Sequence, residues 1–402
     1  MTEVVAWALS AGEPLELIGA GSKRGLGRPV QATHRLDLSG LSGIGLYEPA
    51  ELVLSAAAGT PVAEIEVVLA ERRQQLAFEP PDLGPLYDVP SGRATIGGII
   101  ACNLSGPRRI KAGAARDHFL GFSGVSGRGE AFKAGGRVVK NVTGYDLCKL
   151  LAGSYGTLAA LTEVTIKVLP APGKIRTVLL IGLDDATAIQ AMTRALQSSH
   201  EPSAVAHLPR DIAAASSVEH VERGGGPVTA LRVEGPGPSA IWRCAALRRE
   251  MADLDAHMEE LHTRNSTVLW REVRDATVWV ASGGHGPALP AVWRLSVPPA
   301  AGALVTAQIA DTIGSFRYFY DWGGGLIWLA LPPRLDAGAA PIRAAATRHG
   351  GHATLFRASD DIRVSVPVLQ PEPESLAALA RRVKESFDPQ RILNPGRMAA
   401  SL

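Results

Sequence analysis

Cysteine is scarce: Cys102, Cys148 and Cys244 are the only three in 402 residues. An iron–sulfur cluster takes four thiolates in close runs, so these scattered thiols exclude one on this chain. They form no disulfide framework either, and a reducing cytosol is the expected compartment. No run approaches the ~20 apolar residues of a membrane-crossing helix, so any membrane contact is expected to pass through a partner. The start of the chain carries Glu3 and no basic segment, which does not read as a signal peptide. Charge is nearly balanced, +2 at neutral pH, and gives no case for nucleic acid. Metal-ligand spacing is almost missing. His349 and His352 stand three apart, but Gly350 and Gly351 break the helix that would align them, so no metal is expected.

Glycine and proline, by contrast, are plentiful, and both occur as turn clusters. That pattern suits short elements joined by tight turns in an α+β fold, and the length suits two or three domains. Residues 1–13 read as a helix with Val4, Val5, Ala8 and Leu9 on its apolar side. Leu15–Ile18 reads as a strand running into Gly19-Ala20-Gly21-Ser22-Lys23. Successive N–H groups in such a turn can cradle a phosphate, although a plain tight turn has the same composition. Arg24 occupies the third-glycine position of a dinucleotide fingerprint. Leu36–Leu41 and Glu51–Ala57 read as strands. Thr60 and Pro61 are then placed to open a helix, as cap and first residue, with Val62, Ile65, Val68 and Leu69 buried.

Thr95–Asn103 has small residues at Gly97, Gly98 and Ala101, consistent with bare N–H groups at a helix start or with close packing on a sheet. Arg116 and Asp117 precede the strand Phe119–Val125, and residues 127–130 form a hairpin turn. Between Gly136 and Pro170 the order is strand, turn, short helix, glycine turn, strand. Val138 and Val139 end the first strand, and 141–144 make the turn. Leu147, Leu150 and Leu151 share a helical face. Leu158–Val168 is the closing strand, with Leu161, Val164, Ile166 and Val168 apolar.

Four segments in order, GAGSK, TIGGIIACN, AARDHFLG and AGSYGTL, resemble the vanillyl-alcohol-oxidase/PCMH class of FAD-binding domains. Within that class the chain is similar to the GlcE-type, FAD-binding subunits of glycolate oxidase. The resemblance implies FAD contacts from Gly19, Ala20, Gly21, Ser22 and Lys23, and from Thr95, Ile96, Gly97, Gly98, Ala101 and Asn103. It also implies contacts from Arg116, Asp117, Gly153, Gly156, Thr157, Leu158 and Val164. Some relatives anchor FAD through a histidine in the first loop. None stands at 19–23, and His34 lies beyond Pro29, so non-covalent FAD is expected.

Prolines at 170 and 172 mark a boundary, giving an FAD domain over 1–170 and a cap over 171–370. In the cap, Thr177–Ile181, Ala204–Leu208 and Val228–Val233 read as strands. Helices are expected over Asp184–Gln197 and Ser239–Glu259. Trp293–Val297 and Leu304–Ala310 continue the alternation, followed by strand Ile327–Leu331, helix Pro341–His349 and strand Gly351–Phe356. This points to a ferredoxin-like antiparallel α+β cap, with duplication as a further expectation. The aromatic run from Tyr318 to Trp328 reads as packing near the flavin or at a subunit interface. Residues 371–402, a helix and an Asn-Pro-Gly turn, resemble the closing signature of FAD-linked oxidases. They are expected to return to the FAD domain with Asn394 beside the flavin.

Related 2-hydroxyacid dehydrogenases carry histidine-rich runs that this chain lacks. No base and cation set for removing hydride from a hydroxy acid is evident, and no catalytic residue is assigned. The resemblance therefore implies a flavin-bearing subunit beside a catalytic GlcD-type and an iron–sulfur GlcF-type subunit. Its expected location is cytoplasmic, or peripheral on the inner membrane face through the complex. Two alternatives stand: a self-sufficient oxidase with His118 or Tyr145 as base, and a structural subunit with a degenerate flavin pocket.

Overall fold

A computed structural model describes residues 1–136, 144–280 and 289–402. Val138, Val139 and most of the 141–144 turn lie outside the described residues. The chain divides into two compact units. The first comprises Met1–Ser105, Gly113–Ala171 and Arg363–Leu402, the second Gly106–Ala112 and Pro172–Ile362.

In the first unit, β1 (Leu15–Ile18) and β2 (His34–Asp37) pair in parallel. β2 stops earlier than expected because the Asp37 carboxylate accepts the Ser39 N–H at 2.8 Å and turns the chain. The helix Thr2–Ala11 buries Val5 and Ala8 against Leu15, Val125, Ile392 and Leu393, while Val4 stays exposed. Leu393 bridges Leu15 in parallel, so the C-terminal tail lies directly beside β1.

A five-stranded antiparallel sheet follows. Its strands are β3 (Ile44–Glu48), β4 (Val53–Ala57), β6 (Phe119–Ser126), β7 (Ala131–Gly135) and β8 (Ala159–Lys167), in the order β3-β4-β8-β6-β7. A two-residue ladder joins β5 (Gln74–Gln75) to β9 (Leu169–Pro170). Leu161, Val164, Ile166 and Val168 are all buried.

The helix after β4 spans Val62–Glu71, one residue later than expected. Pro61 is its cap. The Thr60 hydroxyl instead bonds Ala57 O and Gly43 O, tying the turn together. Val62, Ile65 and Leu69 are buried, and Val68 is half-buried. In the short helix Leu147–Leu151, Cys148 and Leu151 face inward and Leu150 faces solvent. Five residues make barely more than one turn, and their orientation follows the sheet rather than leucine spacing.

The second unit holds one eight-stranded antiparallel sheet. Its strands are β10 (Lys174–Ile181), β11 (Ala204–Leu208), β12 (Val228–Gly235), β13 (His257–Leu261), β14 (Ala291–Ser296), β15 (Arg317–Asp321), β16 (Leu326–Leu331) and β17 (His352–Arg357). The order is β13-β10-β12-β11-β15-β16-β14-β17. Each half is strand, helix, strand, strand, helix, strand in sequence, and in space 4-1-3-2. The unit is thus two ferredoxin-like halves joined by their second strands, β11 to β15.

The expected helix Ser239–Glu259 is instead Gly237–Glu250 followed by β13. The helix Thr263–Asp275, not foreseen, buries Leu269, Trp270 and Val273. Leu304–Ala310 lies within the helix Gly302–Ile313.

Candidate functional site: a glycine-lined cleft in the first unit

The end of β1, the following loop and the helix Ile96–Ala101 line a cleft open to solvent on one side. Gly19, Ala20, Gly21, Ser22 and Lys23 form one wall, and Thr95, Gly97, Gly98 and Ala101 another. Gly156, Ala159, Ala160 and Leu161 close the floor, and Asn394 and Arg397 reach in from the tail. Eleven of the sequence-assigned residues therefore meet at one place. They are Gly19–Lys23, Thr95, Gly97, Gly98, Ala101, Gly156 and Asn394.

The N–H groups of Ala20, Gly21, Ser22 and Lys23 donate to no acceptor among the described residues. Gly21 takes φ +73°, which lets consecutive amides converge on one side. The Lys23 ammonium donates to Ser22 Oγ at 3.1 Å, and burial pushes its pKa down. Together, open amides and a desolvated cation make an anion cradle.

The helix start is different. Ile96 N–H donates to Thr60 O at 3.0 Å and Gly97 N–H to Ala58 O at 2.8 Å. Gly98 N–H reaches Thr95 Oγ1 at 3.3 Å. These amides are not bare, and Gly97 answers to packing: a Cβ there would stand 2.7 Å from Ala58 O. A Cβ on Gly19 would stand 2.5 Å from Thr95 Oγ1, so the two walls touch at that point.

The remaining assigned residues do not line the cleft. Ile96 and Val164 are fully buried core, and Leu158 is buried. Asn103 accepts the Arg116 N–H at 3.0 Å, and Asp117 accepts the Ala114 N–H at 2.9 Å, so all three fix a loop. Gly153 N–H donates to Ile100 O, docking the glycine turn on the helix end. Thr157 Oγ1 donates to Ser154 O at 2.7 Å.

Sequence reasoning missed Glu16, Tyr155, Cys102 and Arg397. Arg397 is half-buried and donates to Lys23 O and Arg28 O, each at 3.1 Å. Burial lowers its pKa. Its place one residue after the Asn-Pro-Gly turn was the available signal. Burial raises the Cys102 thiol, against the opposing pull of Lys23 and Arg397. Burial also opposes the Glu16 carboxylate, but hydrogen bonds from Arg24 (2.8 Å) and Arg35 (2.9 Å) prevail and hold its pKa below the usual value.

His34 sits edge-on to Trp7 outside the cleft. His118 is buried against Phe78, and Tyr145 is 91% exposed; neither lines the cleft. In the second unit, Asp321 and Trp322 are buried within the aromatic cluster. His349 caps a helix end while His352 begins β17, so the pair does not share a helix.

Two family models match: an FAD binding domain over residues 1–135, and the C-terminal domain of FAD linked oxidases over 370–398. The glycolate oxidase subunit GlcE of Escherichia coli strain K12 is 33% identical, with 100% of this chain and 97% of that one covered. The glycolate oxidase subunit GlcD of Bacillus subtilis strain 168 is 26% identical, covering 86% and 76%. A solved structure of p-cresol methylhydroxylase with bound substrate superposes with a TM-score of 0.72 at 15% identity, covering 99% and 86%, and shares the fold.

Proposed function

The chain belongs to the family of the glycolate oxidase subunit GlcE, within the FAD-linked oxidases, and on that premise we propose that it is the flavin-carrying subunit of a glycolate-oxidising assembly. FAD is its cofactor and oxidation–reduction its chemistry. The observation that carries the assignment to this cleft is the run of four open amides at residues 20–23 beside Lys23. They offer donors and positive charge to a pyrophosphate. Gly156, Ala159 and Ala160 leave room for a flat apolar body. Bound flavin supplies a two-electron acceptor that can hand on single electrons. Asn394 and Arg397 of the tail would hold it from one side, and the residues lining the cleft would set the charge around it.

The loop chemistry supports non-covalent binding. Among the described residues no histidine lines the cleft, and burial pushes the Cys102 thiol up, which leaves it poorly nucleophilic. Because the three cysteines are scattered, the one-electron carrier belongs on a GlcF-type iron–sulfur partner. A GlcD-type flavoprotein is the catalytic partner. Among the described residues no helix is long and apolar enough to cross a membrane. Attachment to the inner membrane face runs through the partners.

The test is the visible spectrum of the purified full chain, followed by anaerobic glycolate and D-lactate. Flavin bands that stay oxidised, and flavin released by acid precipitation, are the expected results. A folded chain without flavin bands overturns the reading. Rapid bleaching makes the chain itself the dehydrogenase.

A further inference from the structure

The helix Gly237–Glu250 is apolar on two sides. It lies against β10 and β12 and buries Ala240, Cys244, Ala246 and Leu247 there. Its other side carries Ile241, 51% exposed, and Trp242, 60% exposed, followed by Ala245, Arg248 and Arg249 in the open. Those five fall at i, i+1, i+4, i+7 and i+8, one stripe along the outer face. A helix apolar all round is normally covered all round, and an open indole beside an open isoleucine marks a contact surface. Trp242 is also held in place. The His200 ring stands edge-on to it at 5.7 Å, and His200 Nε2 lies 3.2 Å from the Glu250 carboxylate. The charges around the stripe are one-sided. Glu250 lies within ion-pair reach of Arg194 and His200, and Asp253 pairs with Arg194 at 2.9 Å. Arg248 and Arg249 make no ion pair or side-chain hydrogen bond among the described residues.

We propose that this face is the docking surface for the GlcD-type flavoprotein, which presents to it an apolar ridge edged with aspartate or glutamate. That a GlcD-type chain is the partner rests on the function proposed above; that the face is a docking surface rests on the helix. Charge chooses among occupants. Two copies of this chain meeting here would bring four guanidinium groups together while the nearby carboxylates are already engaged, so like charge opposes a self-dimer. A partner with carboxylates at the rim supplies what Arg248 and Arg249 lack. Fold supports the same choice. The GlcD relative described above matches most of this chain's length, so a GlcD-type chain brings a counterpart of this sheet and helix. Like folds pair through matching faces in two-fold dimers, and here the counterpart carries the opposite charge. Tryptophan and arginine are also the residues that dominate binding hot spots, and an indole already held by its neighbour loses little freedom on docking.

The test uses the flavin-loaded full chain and a purified GlcD-type flavoprotein, with affinity read by biolayer interferometry. Saturable binding to wild type is expected, weaker at higher salt. Trp242→Ser should weaken it about tenfold or more. Arg248→Glu combined with Arg249→Glu should weaken it too and remove the salt dependence. Leu304→Ser, which changes an equally exposed side chain on another helix, should leave it unchanged. Urea midpoints read from the remaining tryptophans confirm that each variant folds. No binding by flavin-loaded wild type, equal affinity in Trp242→Ser, or equal loss in Leu304→Ser overturns the surface and leaves the flavin-carrying reading standing. Self-association, or binding of a GlcF-type chain, that Trp242→Ser abolishes overturns the occupant. Trp242-dependent binding by a folded chain without flavin keeps the surface and overturns the flavin-carrying reading.

Discussion

Asp388 neutralises Lys384 at the root of the C-terminal tail, with 2.5 Å between Oδ2 and Nζ and both side chains out of water. Lys384 also donates to Thr157 O at 2.7 Å and Leu393 O at 2.9 Å. Asp388 accepts the N–H groups of Ile392 and Leu393. The pair thus joins the last helix, the glycine turn and the tail segment that brings Asn394 to the cleft. Asp388→Ala strands a buried cation, and a loss of about 3–5 kcal/mol is expected in urea unfolding. Replacing both partners, Lys384→Met with Asp388→Leu, should recover most of it. A single variant within about 1 kcal/mol of wild type would show that the pair does not hold the tail.

Glu16 ties the cleft wall to pH. Its carboxylate accepts from Arg24 and Arg35, which outweigh burial and hold its pKa below the usual carboxylate range. A depressed folded pKa stabilises fully above the unfolded value, and the contribution is lost as pH falls through the folded one. Both arginines are about half exposed, so solvent screening leaves roughly 1 kcal/mol. Glu16→Gln should lower stability by that amount at pH 7 and flatten the acid limb below pH 4.5. An unchanged acid limb in the variant, followed by thermal melts, would sink the assignment.

Gly156 and Asn394 meet where tail and glycine turn close on the cleft. Asn394 accepts the Leu17 N–H at 2.7 Å and donates to Tyr155 O at 2.8 Å. Gly156 takes φ +70°, and a Cβ there would stand 2.9 Å from Asn394 Nδ2. Gly156→Ala should therefore cost about 1–3 kcal/mol through backbone strain and overpacking. Flavin affinity, read by fluorescence on dilution, should fall with it. Unaltered flavin retention would separate this staple from the cofactor site.

The cleft was legible because its loops announce themselves. Gly19–Lys23 follows a short apolar strand, and open amides there need glycine and small residues in order. Gly97 was legible for another reason: it is small because Ala58 lies against it. Sequence could not rank those two causes, since both select the same residue. Leu150 misled because in a helix of five residues spacing alone cannot choose the inner face. The duplicated cap was visible as repeated strand–helix–strand, but only the 4-1-3-2 order of both halves shows it.

The seam between the two halves rests on Asp185. His207 and Tyr320 are the single register pair between β11 and β15. The Asp185 carboxylate accepts from Tyr318 and Tyr320 at 2.6 and 2.7 Å, and lies 3.3 Å from His207 Nε2. Burial opposes its charge, but these donors win and hold its pKa down, while burial pushes both phenols up. Thr306 and Thr229 complete the network at Tyr320 and His207. Asp185→Ala leaves three polar groups short of an acceptor where little water reaches. Tyr320 and His207 keep their threonine partners, so a loss of about 2–4 kcal/mol is expected, less than three separate orphans would give. All tryptophans except Trp7 lie in the second unit, so emission during urea unfolding reports on it. The midpoint of that transition should drop in Asp185→Ala, while flavin, bound in the first unit, is retained in the absence of urea. Loss of flavin with an unchanged midpoint would mean that Asp185 serves the cofactor site and not the seam.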